Sequence, residues 1–222
     1  MRIVAATLMA LWASSANAQD FGSFIGSVVA KWNDDGRTMT LLEPFSYVDP
    51  LGIRWDAPAG VSVDGASIPT FAWSIIGGPF EGKYRNASVI HDVACVEKKR
   101  SWDKVHHAFY TGMLASGVSS MKAKVMYAAV YHFGPRWPEQ KEIRQTTSQL
   151  VEQRFCMDIG IGDPVCVVVP RTTTPVETIV RIDVPPPPQT LTREAFERLE
   201  KEIEGNESGP TALTLEQIQE YR

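Results

Sequence analysis

The chain of 222 residues has no block of lysine or arginine. Phosphate backbones are bound by clustered positive charge, so a formal charge of −4 without such a cluster excludes nucleic acid as a partner. No apolar run is long enough for a permanent membrane span, and no internal repeat is visible. The glycine-rich stretch 75–88 lacks the G-x-x-x-x-G-K-S/T phosphate cradle, and Ser67 lacks the strand–G-x-S-x-G–helix setting of a nucleophile elbow. A nucleotide site is therefore not expected, and Ser67 as a nucleophile would stand outside that setting. Cysteine is scarce, at three residues. What remains is 44% hydrophobic and 22% charged, enough to bury a core of ordinary composition.

The first 18 residues, MRIVAATLMALWASSANA, carry one positive charge at Arg2, an apolar stretch from Ile3 to Trp12, and small residues at Ala16 and Ala18. This is the layout of a secretory signal cut before Gln19, and it predicts a periplasmic or secreted protein. No cysteine follows the cut, so no lipid anchor is expected there. In an oxidising compartment Cys156 and Cys166, either side of a Gly/Asp/Pro loop, are a candidate disulfide. Cys95 lies four residues after His91, on the same side of a helix. It could pair with another cysteine, act as a nucleophile beside His91, or sit as a buried, inert thiol.

Residues 20–63 read as strands. FIGSVVAKW and TMTLLEPFSYV are rich in β-branched and aromatic residues, NDDG and DPLG are turn signals, and IRW and VSV are short further strands. From residue 86 the period changes. NASVIHDVACVEKK sets Val89, Val93 and Val96 at helical spacing, and Ser101 is a candidate N-cap for a helix over 102–115. SSMKAKVMYAAVYHF is a third helix, stopped at Gly134-Pro135, and a fourth is expected from Pro138 to about Phe155. VCVVVP and ETIVRIDV then suggest a β-arm, PPPP at 185–188 a stiff linker, and LTREAFERLEKEIEG a charged helix with Phe196, Leu199 and Ile203 along one side. So narrow a stripe must dock, on this chain or on a protein partner, or fray. The residues beyond it read as disordered. The fold class is α+β: a small N-terminal antiparallel β-meander packed on a helical core, with an extended C-terminal arm and helix. The expected divisions are a signal peptide over 1–18, a core over 19–158, an arm and linker over 159–190, and a helix with its tail over 191–222.

Chemistry concentrates in ASVIHDVACVEKKRSWDKVHHAFY, residues 87–110, which hold three of the four histidines. The imidazole of His91 can take a proton from water at neutral pH, provided another group holds its ring. A short link makes the first two helices antiparallel, which brings the start of the second near His91; Asp103 and His106 share a face there. Asp92, about 100° round the helix from His91, would face a metal. Asp64 in SVDGASIP, with backbone carbonyls beside it, offers hard oxygen ligands suited to calcium. His91, Asp92 and His106, with Asp64, are ligands that zinc or another transition metal accepts, and such a metal would generate hydroxide at neutral pH. Arg136 in YAAVYHFGPRW could hold an anionic substrate, with Trp73 as a second substrate contact. The same letters also describe a structural site, in which a buried histidine donates to a backbone carbonyl beside a capping or salt-bridged aspartate. His107 points away from His106 toward solvent, and His132 near a helix end suits the dipole there.

SVDGASIP, Trp73, GKYRNASVIHD, FYTGM and YAAVYHFGPRW, in this order over residues 40–137, resemble a family of phage and bacterial proteins catalogued as domain of unknown function 1353. That resemblance implies no established activity. A His-Asp helix packed against a helix whose acid precedes a Phe-Tyr pair is similar to the secreted phospholipase A2 of bacteria. This second resemblance implies His91 as general base, Asp92 as calcium ligand, and an acid on the second helix that orients the histidine. Three residues before Phe109, where that acid would stand, this chain has His106, and Asp103 lies a turn earlier. The leading expectation is an exported His/Asp-centred hydrolase, phospholipase-like or metal-assisted, with calcium or zinc as its divalent metal and a lipid or cell-envelope component as its substrate. The other is a non-catalytic envelope or phage-derived binding or structural protein in which His91-Asp92 is structural.

Overall fold

A computed structural model describes residues 20–65, 80, 82–148, 150–160, 162–173, 175–206 and 212–222. The expected signal peptide and Trp73 lie outside the described residues. The chain forms two compact units, one of residues 1–134 with 190–222, the other of residues 135–189.

In the first unit the N-terminal strands make two antiparallel sheets where a single meander was expected. β1 (Ser23–Ile25) pairs with β4 (Phe45–Val48), which pairs with β5 (Arg54–Ala57). β2 (Ala30–Trp32) pairs with β3 (Met39–Leu41), which pairs with β6 (Ser62–Val63). Both turn signals do what their residues allow. Asp35 Oδ1 accepts the Arg37 and Thr38 amides at 2.9 Å each between β2 and β3. Asp49 closes the β4–β5 turn, accepting the Leu51 and Ile53 amides at 2.9 Å and the Trp55 indole at 3.0 Å. The split into two sheets goes with a non-local pairing: Phe24 of β1 stacks on Phe45 and tilts against Tyr47 of β4, with ring centroids at 5.4 and 4.9 Å. A reading by neighbouring segments does not see that pairing.

Three helices follow, α1 (Arg85–Glu97), α2 (Trp102–Ala115) and α3 (Ser120–Phe133). Every residue of α1 from Ala87 to Val93 is buried, so α1 is the central helix rather than a surface one. Val96, the last of the valine series, is exposed. Ala87 meets Gly112 and His91 meets His106, so α1 and α2 run antiparallel. A Cβ on Gly112 would sit 3.2 Å from the Ala87 Cβ, so the small residue there lets the two helices close.

The C-terminal segment completes the same core. In α4 (Arg193–Gly205) the Thr192 hydroxyl caps the first turn, accepting from the Ala195 amide at 3.2 Å. Phe196, Leu199 and Ile203 then bury among α3 residues such as Val125, Met126 and Val130. Fully burying such a side chain contributes about 1.5–3 kcal/mol. The apolar stripe is thus occupied by its own chain and is not presented to a partner. The tail is ordered at α5 (Leu215–Glu220), whose Thr214/Gln217 capping box fixes its start and whose Ile218 is buried in the same core. His132 Nε2 bonds the Ile218 carbonyl at 2.7 Å, which gives this histidine the structural role expected of it.

In the second unit the helix expected from Pro138 to Phe155 is absent. Its residues form β7 (Glu139–Thr147) and β8 (Leu150–Met157), followed by β9 (Val165–Thr172) and β10 (Val176–Val184). β8 pairs with β9 and β7 with β10, both antiparallel, so the two expected arm strands pair backward rather than with each other. Glu, Gln, Lys and Arg favour a helix locally, but here these segments are held in ladders with the β-branched strands β9 and β10. Cys156 and Cys166 face each other across the β8–β9 ladder and form the expected disulfide. Among the described residues no helix is long and apolar enough to cross a membrane.

Candidate metal centre

The antiparallel crossing of α1 and α2 brings two imidazoles together. His91 Nε2 and His106 Nδ1 are 2.8 Å apart, one donating to the other, with ring centroids 5.1 Å apart. Phe109 packs on the His91 ring at 4.8 Å and Trp102 edges that of His106 at 5.7 Å. One turn along α1, Cys95 Sγ lies 3.7 Å from His91 Nε2 and 3.8 Å from its Nδ1. His91 is 1%, His106 0% and Cys95 6% exposed. One ligand atom from each of the three lies within 4.8 Å of the others, so this group could hold a metal ion. Cys95 takes part in no disulfide.

Burial sets the protonation states. Desolvation, and then the neighbouring His106, hold the His91 pKa well below the usual histidine value. The Cys95 thiol is pushed up to about 12, first by burial and then by the Asp92 and Asp64 charges. Both groups are therefore neutral at pH 7. A neutral, buried thiol accords with the inert-thiol reading of Cys95.

Asp92, about 100° round the helix from His91, has other partners. It is buried, and its Oδ2 accepts the Gly65 amide at 2.6 Å and the Asp64 amide at 3.1 Å. The aspartate expected to bind metal thus anchors the backbone immediately after β6. Asp64 contributes that amide, while its carboxylate pairs with Arg37 at 3.5 Å. Asp103 stands exposed in the first turn of α2, outside the cluster; of the two groups expected to support His91, only His106 reaches it. Arg136 belongs to the second unit, where it donates to the Pro187 carbonyl at 2.9 Å. His107 is exposed. Cys95 is the member of this candidate group that sequence reasoning did not place in the metal set, although its i+4 spacing from His91 carried the signal.

Residues 39–130, which run from β3 into α3 and include all three cluster residues, match the family model described as "Protein of unknown function (DUF1353)". Two proteins of Sinorhizobium fredii, both described as uncharacterized, are similar to the chain. One, y4jT, is 40% identical over 177 residues, covering 78% of this chain and 51% of the relative. The other, y4iH, is 39% identical over 143 residues, covering 61% of this chain and 60% of the relative. The chain thus spans about half to three-fifths of the length of these relatives. No solved structure matches. These comparisons do not show the phospholipase A2 likeness.

Proposed function

We propose that this protein is an exported, metal-assisted hydrolase whose centre is a transition-metal site of His91, His106 and Cys95, acting on a lipid or cell-envelope component. The observation that carries the reading is the convergence of two imidazole nitrogens and one thiol within 4.8 Å. Nitrogen and sulfur donors favour zinc over calcium, which takes oxygen ligands only. A metal ion would take the place of the proton between the two rings, that proton moving to the other nitrogen of its own imidazole, and would displace the Cys95 proton, so binding would release the thiol proton and become tighter as pH rises. Three protein ligands leave a fourth position, and a zinc ion there supplies an activated water and polarises a carbonyl or phosphoryl oxygen. Asp92 serves by holding the backbone at Asp64 and Gly65 beside the site.

The near-complete burial of both histidines favours a second reading, a non-catalytic protein in which the same three residues tie α1 to α2. Metal analysis after dialysis against zinc, followed by phospholipid and peptidoglycan hydrolysis assays, separates them. The proposal expects one zinc per chain, lost in Cys95→Ser and His106→Ala, and hydrolysis lost with it. Zinc bound without hydrolysis of either substrate class leaves the structural reading. A chain that retains no zinc overturns the metal centre.

A further inference from the structure

The β8–β9 hairpin collects most of its large apolar side chains on one face. Successive residues of a strand point to opposite faces, and cross-strand partners share one. By the register, Val151, Phe155 and Met157 of β8 therefore lie on one face with Val165, Val167 and Val169 of β9. The Arg171–Gln153 hydrogen bond, at 3.3 Å, lies on that face too, between Val151 and the five other apolar side chains. The opposite face carries Glu152, Arg154 and the disulfide together with Leu150, Val168 and Pro170. The β7–β10 pair follows the pattern in part: ion pairs Glu142–Arg181 at 3.0 Å and Arg144–Glu177 at 4.0 Å lie with Ile179 on one face, and Ile143, Val180 and Ile182 lie with Lys141 on the other.

An isolated two-stranded ribbon is marginal in water unless its apolar face is covered. Here the six β8–β9 side chains are each 43–67% exposed. At about half exposure they present on the order of 500 Å² of apolar surface, toward the upper end of what single chains leave bare.

We propose that the occupant of this face is a second copy of the chain, its ribbon packed face to face on the first about a two-fold axis. The area is sufficient, since two such faces remove on the order of 1,000 Å² from water, the size at which specific interfaces begin. An apolar patch is complementary to itself, so an isologous pairing needs no separate partner surface. Charge speaks against a lipid surface as the occupant. Residues 139–184 carry seven acids and five bases, so they present no cationic footprint for anionic headgroups. Asp158 and Asp163 at the hairpin tip would have to enter hydrocarbon if the ribbon inserted. The disulfide pins the β8–β9 register, which keeps all six side chains on one face. This inference stands independently of the metal centre.

Sedimentation velocity of the oxidised full chain, over a concentration series up to its solubility limit, tests it. The wild type should dimerise. Phe155→Glu and Val167→Lys should sediment as monomers with unchanged far-UV circular dichroism, and Val167→Thr should weaken the dimer several-fold. Glu152→Gln, on the opposite face, should leave the dimer intact. A wild type that stays monomeric throughout overturns the proposal without recourse to any variant. So does a dimer that Phe155→Glu and Val167→Lys both leave unchanged. Co-sedimentation of a monomeric wild type with phosphatidylglycerol vesicles, abolished by Phe155→Glu, would assign the face to lipid instead.

Discussion

Asp92 offers the sharpest test of how the site is built. Its carboxylate, buried at 4% exposure, accepts two backbone amides, that of Gly65 at 2.6 Å and that of Asp64 at 3.1 Å. A hydrogen bond to a charged group contributes about 1.5–3 kcal/mol, and a buried donor left unpaired costs a similar amount. The Gly65 amide is buried and the Asp64 amide only partly so, and the second bond is the longer. Asp92→Ala should therefore destabilise the first unit by about 2–5 kcal/mol, the second amide recovering part of its loss through water. Asp92→Asn keeps an acceptor but loses the charge, which roughly halves the strength of such bonds, and should cost about 1–2 kcal/mol. Urea unfolding followed by circular dichroism reads both, as midpoints lowered by about 1–2 M for alanine and less for asparagine. If both variants fall within about 0.5 kcal/mol of wild type, Asp92 is not the anchor described. Zinc content supplies a second readout. Asp92→Asn should bind zinc as wild type does, and its loss in a folded variant would restore Asp92 to the ligand set.

Three further outcomes are expected. In the metal-free protein His91 is neutral when folded but protonates near pH 6.5 when unfolded, so the unfolded chain binds more protons in acid. Stability should hold above about pH 7 and fall as pH drops through 6.5 toward the depressed folded value, by up to about 1.4 kcal/mol per pH unit from this group. Denaturant titrations at several pH values check this, and a slope the same in His91→Gln as in wild type would refute it. Leu199→Ala empties a fully buried position against α3 and should cost about 2–5 kcal/mol in thermal or urea unfolding; a cost under 1 kcal/mol would mean α4 is not docked. Replacing Cys156 and Cys166 together by serine opens a loop of sequence separation 10 and should cost about 3 kcal/mol by loop entropy. Hydrogen exchange should then quicken in β7–β10 and stay unchanged in α1–α3.

The helices α1, α2 and α3 were legible because each carries its own apolar period and stop. The meeting of His91 with His106 was legible for a related reason: a short link forces the two helices antiparallel. The role of Asp92 was not, because its partners are backbone amides 27 and 28 residues earlier, and backbone donors leave no mark in sequence. Asp103 shared a helical face with His106 but lies in the exposed first turn, too near the helix start to reach His91's level. β7 and β8 were misread for the converse reason. Their composition favours a helix, and the strands that overrule it come later, as far as 45 residues on in the Glu139–Val184 pair. The docking of α4 was open in the sequence, since an amphipathic stripe shows that something is covered and not what covers it.

The first unit is interrupted. Its helix α3 is made early, but the side chains that roof it, Phe196, Leu199, Ile203 and Ile218, leave the ribosome only after the whole second unit has been synthesised. Until then Val125, Met126 and Val130 face water, and the nascent chain stays adhesive and open to chaperones and proteases. A product truncated before residue 190 would remain in that condition, so a premature stop that removes no more than residues 190–222 should cost abundance rather than merely trim a tail.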